Sequence, residues 1–171
     1  MEMSGSIKID ADRETVWAAL LSPDVLKECV PGCQEMTGTP EDGFAATVVQ
    51  KVGPVKATFK GEVQLQDRVP PESLRLVGEG KGGAAGFAKG GAKVQLVEEE
   101  GGTRLDYEAE AKVGGKLAQL GSRIIDGFAR KMADQFFEKF RQAVEGPAED
   151  EAADASPDAP KKGWFRSMVS G

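Results

Sequence analysis

The stretch from Lys56 to Val113 alternates between polar and apolar residues, and many of its apolar positions carry very small side chains. A period of two is typical of strands with one wet and one dry face. Protein interiors are packed to crystal-like density, so residues of this size cannot fill the space beneath a curved sheet. A bulky helix, a cavity or both must occupy that space. The small residues on the dry face are Ala57, Gly61, Gly78, Gly80, Ala88, Gly90, Ala92, Ala109 and Ala111.

One apolar stripe follows this alternating region. From Lys116 to Val144 there is no proline, and apolar residues recur every three or four positions. This spacing predicts one continuous helix of about eight turns. Gly114-Gly115 ends the preceding strand, and Gly146-Pro147 stops the helix. The stripe consists of Leu117, Leu120, Ile124, Phe128, Met132, Phe136, Phe140 and Val144.

The remaining elements predict an α+β fold. A first strand precedes a helix from Asp10 to Leu21, with Asp12 as N-cap, and a short helical turn from Asp24 to Glu28. Short connections between the later strands predict a meander of antiparallel neighbours. The predicted strands are Glu2–Ile9, Cys33–Thr37, Gly43–Lys51, Pro54–Arg68, Ser73–Gly80, Phe87–Glu98 and Arg104–Val113.

Length and charge limit the classes of function. A chain of 171 residues supports one domain and an appendage. The net charge of −6 and the lack of a basic stripe argue against nucleic-acid binding. The N-terminal residues lack a signal-peptide pattern, so we expect no secretion. Without a run of about 18 apolar residues, we also expect no segment that spans a bilayer.

The composition changes after Gly146 and divides the chain into three parts. Residues 1–146 form the predicted domain, and residues 147–160 are acidic, lack bulky apolar side chains and are expected to be disordered. Residues 161–171 combine cations with aromatic residues, which favours a membrane surface or a groove on a partner protein. An uncommitted frayed tail is the alternative. The candidate anchor residues are Lys161, Lys162, Trp164, Phe165, Arg166, Met168 and Val169.

Two motifs have simple structural interpretations. Cys29 and Cys33 flank a Val-Pro-Gly turn, and with no histidine in the chain they cannot complete a usual zinc site. We therefore expect two partly buried thiols, with a disulfide or redox role left open. The glycines from Gly78 to Gly83 match a dinucleotide fingerprint in spacing. The next segment reads as a strand and not a helix, so a glycine-rich hairpin is the better interpretation.

The predicted interior offers apolar containment and little catalytic chemistry. Its inward positions hold no His, Asp, Glu, Lys or Ser that would serve as acid, base or nucleophile. Tyr107 is the inward residue with a polar group. A structural role, a hydrogen bond to a ligand carbonyl and a lone catalytic acid remain open for it. We predict an apolar cavity of roughly 300–1,000 Å³. Its predicted lining residues are Phe59, Gly61, Leu76, Tyr107, Ile124, Phe128 and Met132.

Several segments resemble the carbon monoxide dehydrogenase CoxG family of the START-like (SRPBCC) superfamily, over roughly residues 2–145. The segments that carry the resemblance are Val16-Trp17-Ala18-Ala19-Leu20, Cys29-Val30-Pro31-Gly32-Cys33, Val52-Gly53-Pro54-Val55-Lys56-Ala57, Phe59-Lys60-Gly61 and Gly114-Gly115-Lys116-Leu117-Ala118-Gln119-Leu120-Gly121. The resemblance implies a helix-grip fold, in which a curved seven-stranded antiparallel sheet wraps around a long C-terminal helix, with two short helices after the first strand.

The resemblance also implies a function. It points to a non-catalytic accessory protein of a molybdenum-containing carbon monoxide dehydrogenase or related hydroxylase, on the inner face of the cytoplasmic membrane. Members are associated with membrane recruitment of that enzyme and with respiratory quinone such as menaquinone. We therefore expect no intrinsic cofactor, but a bound quinone or similar lipid. An aromatase/cyclase-like enzyme on the same fold and a purely structural adaptor without ligand are the alternatives.

Overall fold

A computed structural model describes residues 1–146 and contains one antiparallel sheet of seven strands with helices packed against it. The predicted α+β class is confirmed. The strands are β1 (Glu2–Ile9), β2 (Cys33–Thr39), β3 (Gly43–Val52), β4 (Val55–Val69), β5 (Ser73–Lys81), β6 (Phe87–Glu99) and β7 (Gly102–Gly114). The helices are α1 (Arg13–Leu20), α2 (Pro23–Cys29), α3 (Lys116–Gln119) and α4 (Ser122–Glu145), and a 3₁₀ turn spans Gly83–Ala85.

The strands follow the order β1-β7-β6-β5-β4-β3-β2. From β2 to β7 each strand pairs with its neighbour in sequence, so the predicted meander is confirmed. Helices α1 and α2 lead the chain from β1 at one edge to β2 at the other. The glycine-rich segment forms the β5–β6 connection, which agrees with the hairpin interpretation of that motif.

The start of α1 follows directly from the sequence. The carboxylate of Asp12 accepts a hydrogen bond from the Thr15 N–H at 2.7 Å, which satisfies a backbone donor that the first turn leaves free. This hydrogen bond also lowers the pKa of Asp12. Ser22 caps α2 in the same way, and Pro23 occupies its first turn.

The C-terminal helix differs from the prediction at one point. The stripe from Lys116 predicts a continuous helix, but α3 ends at Gln119 and α4 begins at Ser122. Gly121 between them has φ +89°, a left-handed conformation that a helix interior cannot contain. The prediction of one unbroken helix was therefore wrong at Leu120-Gly121. The predicted end at Gly146 is confirmed, since this residue caps α4 with φ +81°.

One end of the space between sheet and helices is densely filled, and we call it the packed end. Helix α1 supplies Val16, Trp17 and Leu20, and α4 supplies the fully buried Phe140. The ring centroids of Phe136 and Phe140 lie 5.8 Å apart in a stacked arrangement. The other buried members of this cluster are Ile9, Cys29, Leu74, Val94, Leu96 and Leu105.

Candidate functional site

The strand pairing brings the small residues of the dry face together. Gly61 lies opposite Gly80, and Gly80 lies opposite Ala88 on the next strand. Ala111 is paired with Gly90 across β6 and β7. The middle of the sheet therefore presents a surface of almost bare backbone toward α4. The period-two pattern predicted this shared face.

A cavity of about 480 Å³ lies between α4 and the part of this surface formed by Gly80, Ala88 and Ala111, and it is partly open to solvent. Its volume falls within the range typical of small-molecule sites, roughly 300–1,000 Å³. Side chains from β1, the α2–β2 loop, β3, β4, α3 and α4 complete its wall. The lining residues are Met1, Met3, Val30, Pro31, Val48, Gln50, Val52, Phe59, Gly80, Ala88, Ala111, Val113, Leu117, Ile125, Phe128, Ala129, Met132, Ala133 and Phe136.

Three of the seven predicted lining residues are on this wall. Phe59 projects from β4, and Phe128 and Met132 project from α4. The ring of Phe59 lies over Gly82, where a Cβ atom would be 2.5 Å from the ring Cε1 atom. Because Gly82 has no side chain, the aromatic ring of Phe59 can lie beside the β5–β6 connection.

The other four predicted residues lie outside the wall. Leu76 packs against the core cluster of the packed end. Gly61 is next to the Glu79 carbonyl, 3.5 Å from where its Cβ would be. Ile124 is 40% exposed, and the neighbouring Ile125 lies on the cavity wall in its place. The prediction that Gly61, Leu76, Tyr107 and Ile124 line the cavity was therefore wrong.

Tyr107 has a different environment from the one predicted. Its ring stacks on Phe137 with centroids 4.8 Å apart. On its other side it covers Gly5, where a Cβ atom would lie 2.9 Å from the phenol oxygen. Burial raises the pKa of the phenol, and the nearby carboxylate of Asp134 adds to this effect. These contacts fit the structural role among the three that the sequence left open.

Part of the wall comes from the N-terminal half of the chain and was not predicted from the sequence. Val48, Gln50 and Val52 alternate along β3, so the same period of two identifies them once the inward face of that strand is known. Val30 and Pro31 belong to the cysteine-flanked loop, whose sequence indicates only a turn. No periodic signal marks these two residues, because they reach the cavity through the packing of α2 on α4.

Gln50 is the polar residue of the wall. Its Nε2 atom donates a hydrogen bond to the Pro31 carbonyl, which ties β3 to the cysteine-flanked loop. An amide has two N–H donors and a carbonyl acceptor, so part of its capacity is available to a ligand. Among the described residues that line the cavity, no side chain is ionisable. The cavity can therefore contain an apolar molecule and orient it through one amide.

The two cysteines lie beside this wall, and both are free thiols. Cys29 is fully buried, and burial, followed by the charge of Glu28, raises the pKa of its thiol. A protonated thiol is a poor nucleophile. The Cys33 thiol donates to the Glu35 carbonyl at 3.3 Å. Both side chains thus act as small packing residues around the Pro31-Gly32 turn.

The predicted anchor at residues 161–171 and the acidic linker at residues 147–160 lie outside the described residues. Within residues 1–146, no helix combines the length and apolar character that a membrane crossing requires.

The fold is similar to that of several solved structures. A conserved protein from Geobacillus kaustophilus is 30% identical, with a TM-score of 0.78 over 84% of this chain and 95% of that one. A protein from Chromobacterium violaceum is 17% identical, with a TM-score of 0.62 over 85% and 97% of the two chains. A Thermus thermophilus protein is 14% identical, with a TM-score of 0.65 over 88% and 100%. The last two show the fold alone.

The comparison with curated proteins finds no match. The model of the CoxG family, described as a subunit of carbon monoxide dehydrogenase, matches residues 5–145, which include every strand from β2 to β7, all helices and most of β1. This match covers the sheet, the cavity wall and the cysteine-flanked loop together. The chain belongs to the carbon monoxide dehydrogenase CoxG family.

Proposed function

We propose that this protein is a non-catalytic carrier that holds a respiratory quinone or a similar isoprenoid lipid and links a carbon monoxide dehydrogenase-type enzyme to the membrane. Family membership supports an accessory role with that enzyme. The observation that carries the proposal is the cavity of about 480 Å³, whose described lining is apolar except for Gln50. Catalysis of the aromatase/cyclase kind needs inward acid–base groups, and no side chain of the described wall is one.

The chemistry of the wall fits an isoprenoid quinone. Phe59 and Phe128 offer aromatic faces to a planar ring, and Met132 adapts its shape to a branched chain. A second N–H of the Gln50 amide is suited to a quinone carbonyl, since the other N–H donates to Pro31. A long isoprenoid tail exceeds this volume, so part of it would leave through the open side of the cavity.

The ligand assignment is tested by mass spectrometry of lipids extracted from purified full-length protein. In Gly80→Leu the new side chain enters the cavity, because a Cβ at Gly80 meets no atom within 4 Å. We expect this variant to lose the extracted lipid. The control is Glu79→Leu, which adds the same side chain at an exposed position of the opposite face. Equal lipid content in both variants, or no lipid in the wild type, would contradict the carrier role.

The membrane link is a second part of the proposal and concerns residues 161–171. Burial of Trp164, Phe165, Met168 and Val169 would favour an interface by about 25 cal/mol per Å² of apolar area. Lys161, Lys162 and Arg166 would each add about 1 kcal/mol near anionic lipid. Residues 147–160 would act as an acidic spacer.

Co-sedimentation with anionic liposomes tests this link. We expect the full chain to sediment and a chain that ends at Gly146 to remain in the supernatant. Equal sedimentation of both would rule out an anchor in the tail. If truncation removes only the binding of purified carbon monoxide dehydrogenase, the tip is a docking peptide for the enzyme instead of a membrane anchor.

A further inference from the structure

The edge strand β1 has one side paired and one side open among residues 1–146. It forms its ladder with β7 and ends the strand order of the sheet. The opposite edge strand β2 contacts α2, which precedes it in the chain. Beside β1, a groove of about 500 Å³ separates Ser4, Gly5 and Ser6 from α4. The open side of β1 is therefore accessible to another strand.

The hydrogen-bond pattern shows which backbone groups face this open side. Met1 and Ala111 exchange two hydrogen bonds, of 2.9 and 3.1 Å. Bonded and non-bonded pairs alternate along an antiparallel ladder. The register of β1 and β7 has no shift, so Met3, Gly5 and Ile7 direct their backbone groups toward β7. The N–H and C=O groups of the even residues Glu2, Ser4, Ser6 and Lys8 consequently point outward from the sheet edge.

The sequence of β1 is complementary to itself when it is reversed. If two copies pair antiparallel about Gly5, Glu2 lies opposite Lys8 of the other copy and Ser4 lies opposite Ser6. In the same register Met3 lies opposite Ile7 on the dry face. Each of the four pairs of even residues then exchanges two hydrogen bonds between the outward N–H and C=O groups, which gives about eight inter-chain hydrogen bonds. A shift by two residues in either direction removes both pairs of opposite charge.

We propose that β1 is a docking edge for a second copy of this chain, which pairs antiparallel about Gly5 and joins the two sheets into one. Exposed edge strands are templates for such pairing, and a single lysine on an edge normally discourages it. In the proposed pair each Lys8 lies opposite Glu2 of the other copy. The lysine therefore attracts a second copy of β1, although it would disfavour pairing with an unrelated strand. The interface is isologous, as expected for a two-fold dimer.

This arrangement keeps both cavities free. A two-fold axis perpendicular to the sheet places both α4 helices on the same side of the joined sheet. The residues at the contact are in β1, and of these only Met3 belongs to the cavity wall. An interface of one strand pair is at the small end of specific interfaces, so the dimer should be weak and reversible.

Sedimentation equilibrium of the full chain, from about 10 μM to about 1 mM, tests the proposal. We expect a monomer–dimer equilibrium. Glu2→Lys alone and Lys8→Glu alone should each raise the dissociation constant roughly tenfold, because two cross-strand pairs become repulsive. An equimolar mixture of the two single variants should recover the wild-type affinity as a heterodimer, and so should the double variant Glu2→Lys/Lys8→Glu.

Glu62→Lys and Lys60→Glu are the matched controls, since they make the same charge changes at exposed positions of β4, an interior strand of the sheet. They should leave the dissociation constant unchanged. If the chain stays monomeric over the whole concentration range, the open edge of β1 does not bind a second copy, and the proposal is wrong. A dimer that tolerates the single reversals, or is not restored in the mixture, overturns it as well. Ser4→Pro, which removes one outward N–H without affecting the ladder to β7, should also abolish the dimer.

Discussion

The two ends of the space between sheet and α4 are built from the same strands but are filled differently. Along β6 the inward residues change from Ala88 at the cavity to Val94 and Leu96 at the packed end. On α4 the cavity wall combines Ala129 with the larger Phe128, and the fully buried Phe140 lies at the packed end. The gradient of side-chain volume along β6 thus contributes to a dense core and a ligand-sized cavity within one domain.

The difference shows how a small domain can carry a cavity. Helices α1 and α2 fill the packed end with Trp17, Leu20 and Cys29, and its stacked and edge-to-face aromatic rings add further contacts. Empty apolar volume normally lowers stability, because the lining atoms lose dispersion contacts. The packed end offsets this loss of stability, so the residues at the cavity end can serve ligand binding instead of dense packing. Substitutions at the two ends should therefore differ in their effect on stability.

The largest effect is expected from removing an aromatic ring at the packed end. Phe140→Ala should lower the free energy of unfolding by about 3–5 kcal/mol, since the ring is fully buried and leaves a void. Phe128→Ala should cost less than about 2 kcal/mol, because that ring is half-buried and already faces the cavity. Urea unfolding of both variants measures the contrast. Equal losses would show that the cavity end is packed as tightly as the core.

A smaller contrast is expected between two glycines of β5. Gly78→Leu should lower the free energy of unfolding by about 1–3 kcal/mol, because its Cβ would lie 3.0 Å from the Glu62 carbonyl oxygen. Gly80→Leu should be neutral or stabilising, since its side chain enters open space and the strand loses a flexible residue. Thermal unfolding of both variants, without added lipid, provides the measurement. A sharp loss of stability in Gly80→Leu would mean that the cavity is not empty space.

The smallest effect is expected on the solvent-facing side of the packed end, at Asp106. Hydrogen bonds from Arg104 and Ser6 lower the pKa of this carboxyl below its ordinary value of 3.8. The stabilisation is therefore complete above that value and is lost as the pH falls through the lower pKa of the folded state. Both side chains are partly exposed, so the contribution should be less than about 1 kcal/mol.

Unfolding in urea between about pH 5 and pH 2 checks this expectation. The wild type should lose stability over this range, and Asp106→Asn should lose less. Asp42→Asn removes an exposed charge in the β2–β3 turn and is the control for the change in net charge. An identical pH dependence of wild type and Asp106→Asn would show that the Arg104 contact does not contribute.

The sequence predicted much of the fold because each element carries a local signal. The Asp12 cap, the Gly-rich hairpin and the alternation of β4 and β7 each depend on residues close together in the chain. The candidate site was predicted less completely. Phe59, Phe128 and Met132 were assigned to the wall and are found there. Leu76 and Tyr107 share the inward face with them but lie at the packed end, and periodicity gives no position along a strand.

The spacing of helical residues explains another difference. Ile124 lies four residues before Phe128, but Ile125, three residues before it, is the one on the cavity wall. Both spacings place a residue on the same side of a helix as Phe128, so periodicity alone does not decide between them. Val30 and Pro31 were missed for a related reason, since a loop has no period from which its contacts follow.

The sequence by itself determined the order of the elements, the inward face of strands β4 to β7 and the small size of the residues on that face. These properties depend on local spacing and on turn residues. Only the tertiary structure decided which end of the sheet is filled and which is left open. That decision depends on where α1, α2 and the aromatic residues of α4 meet the strands, because packing volume is set by residues far apart in the chain.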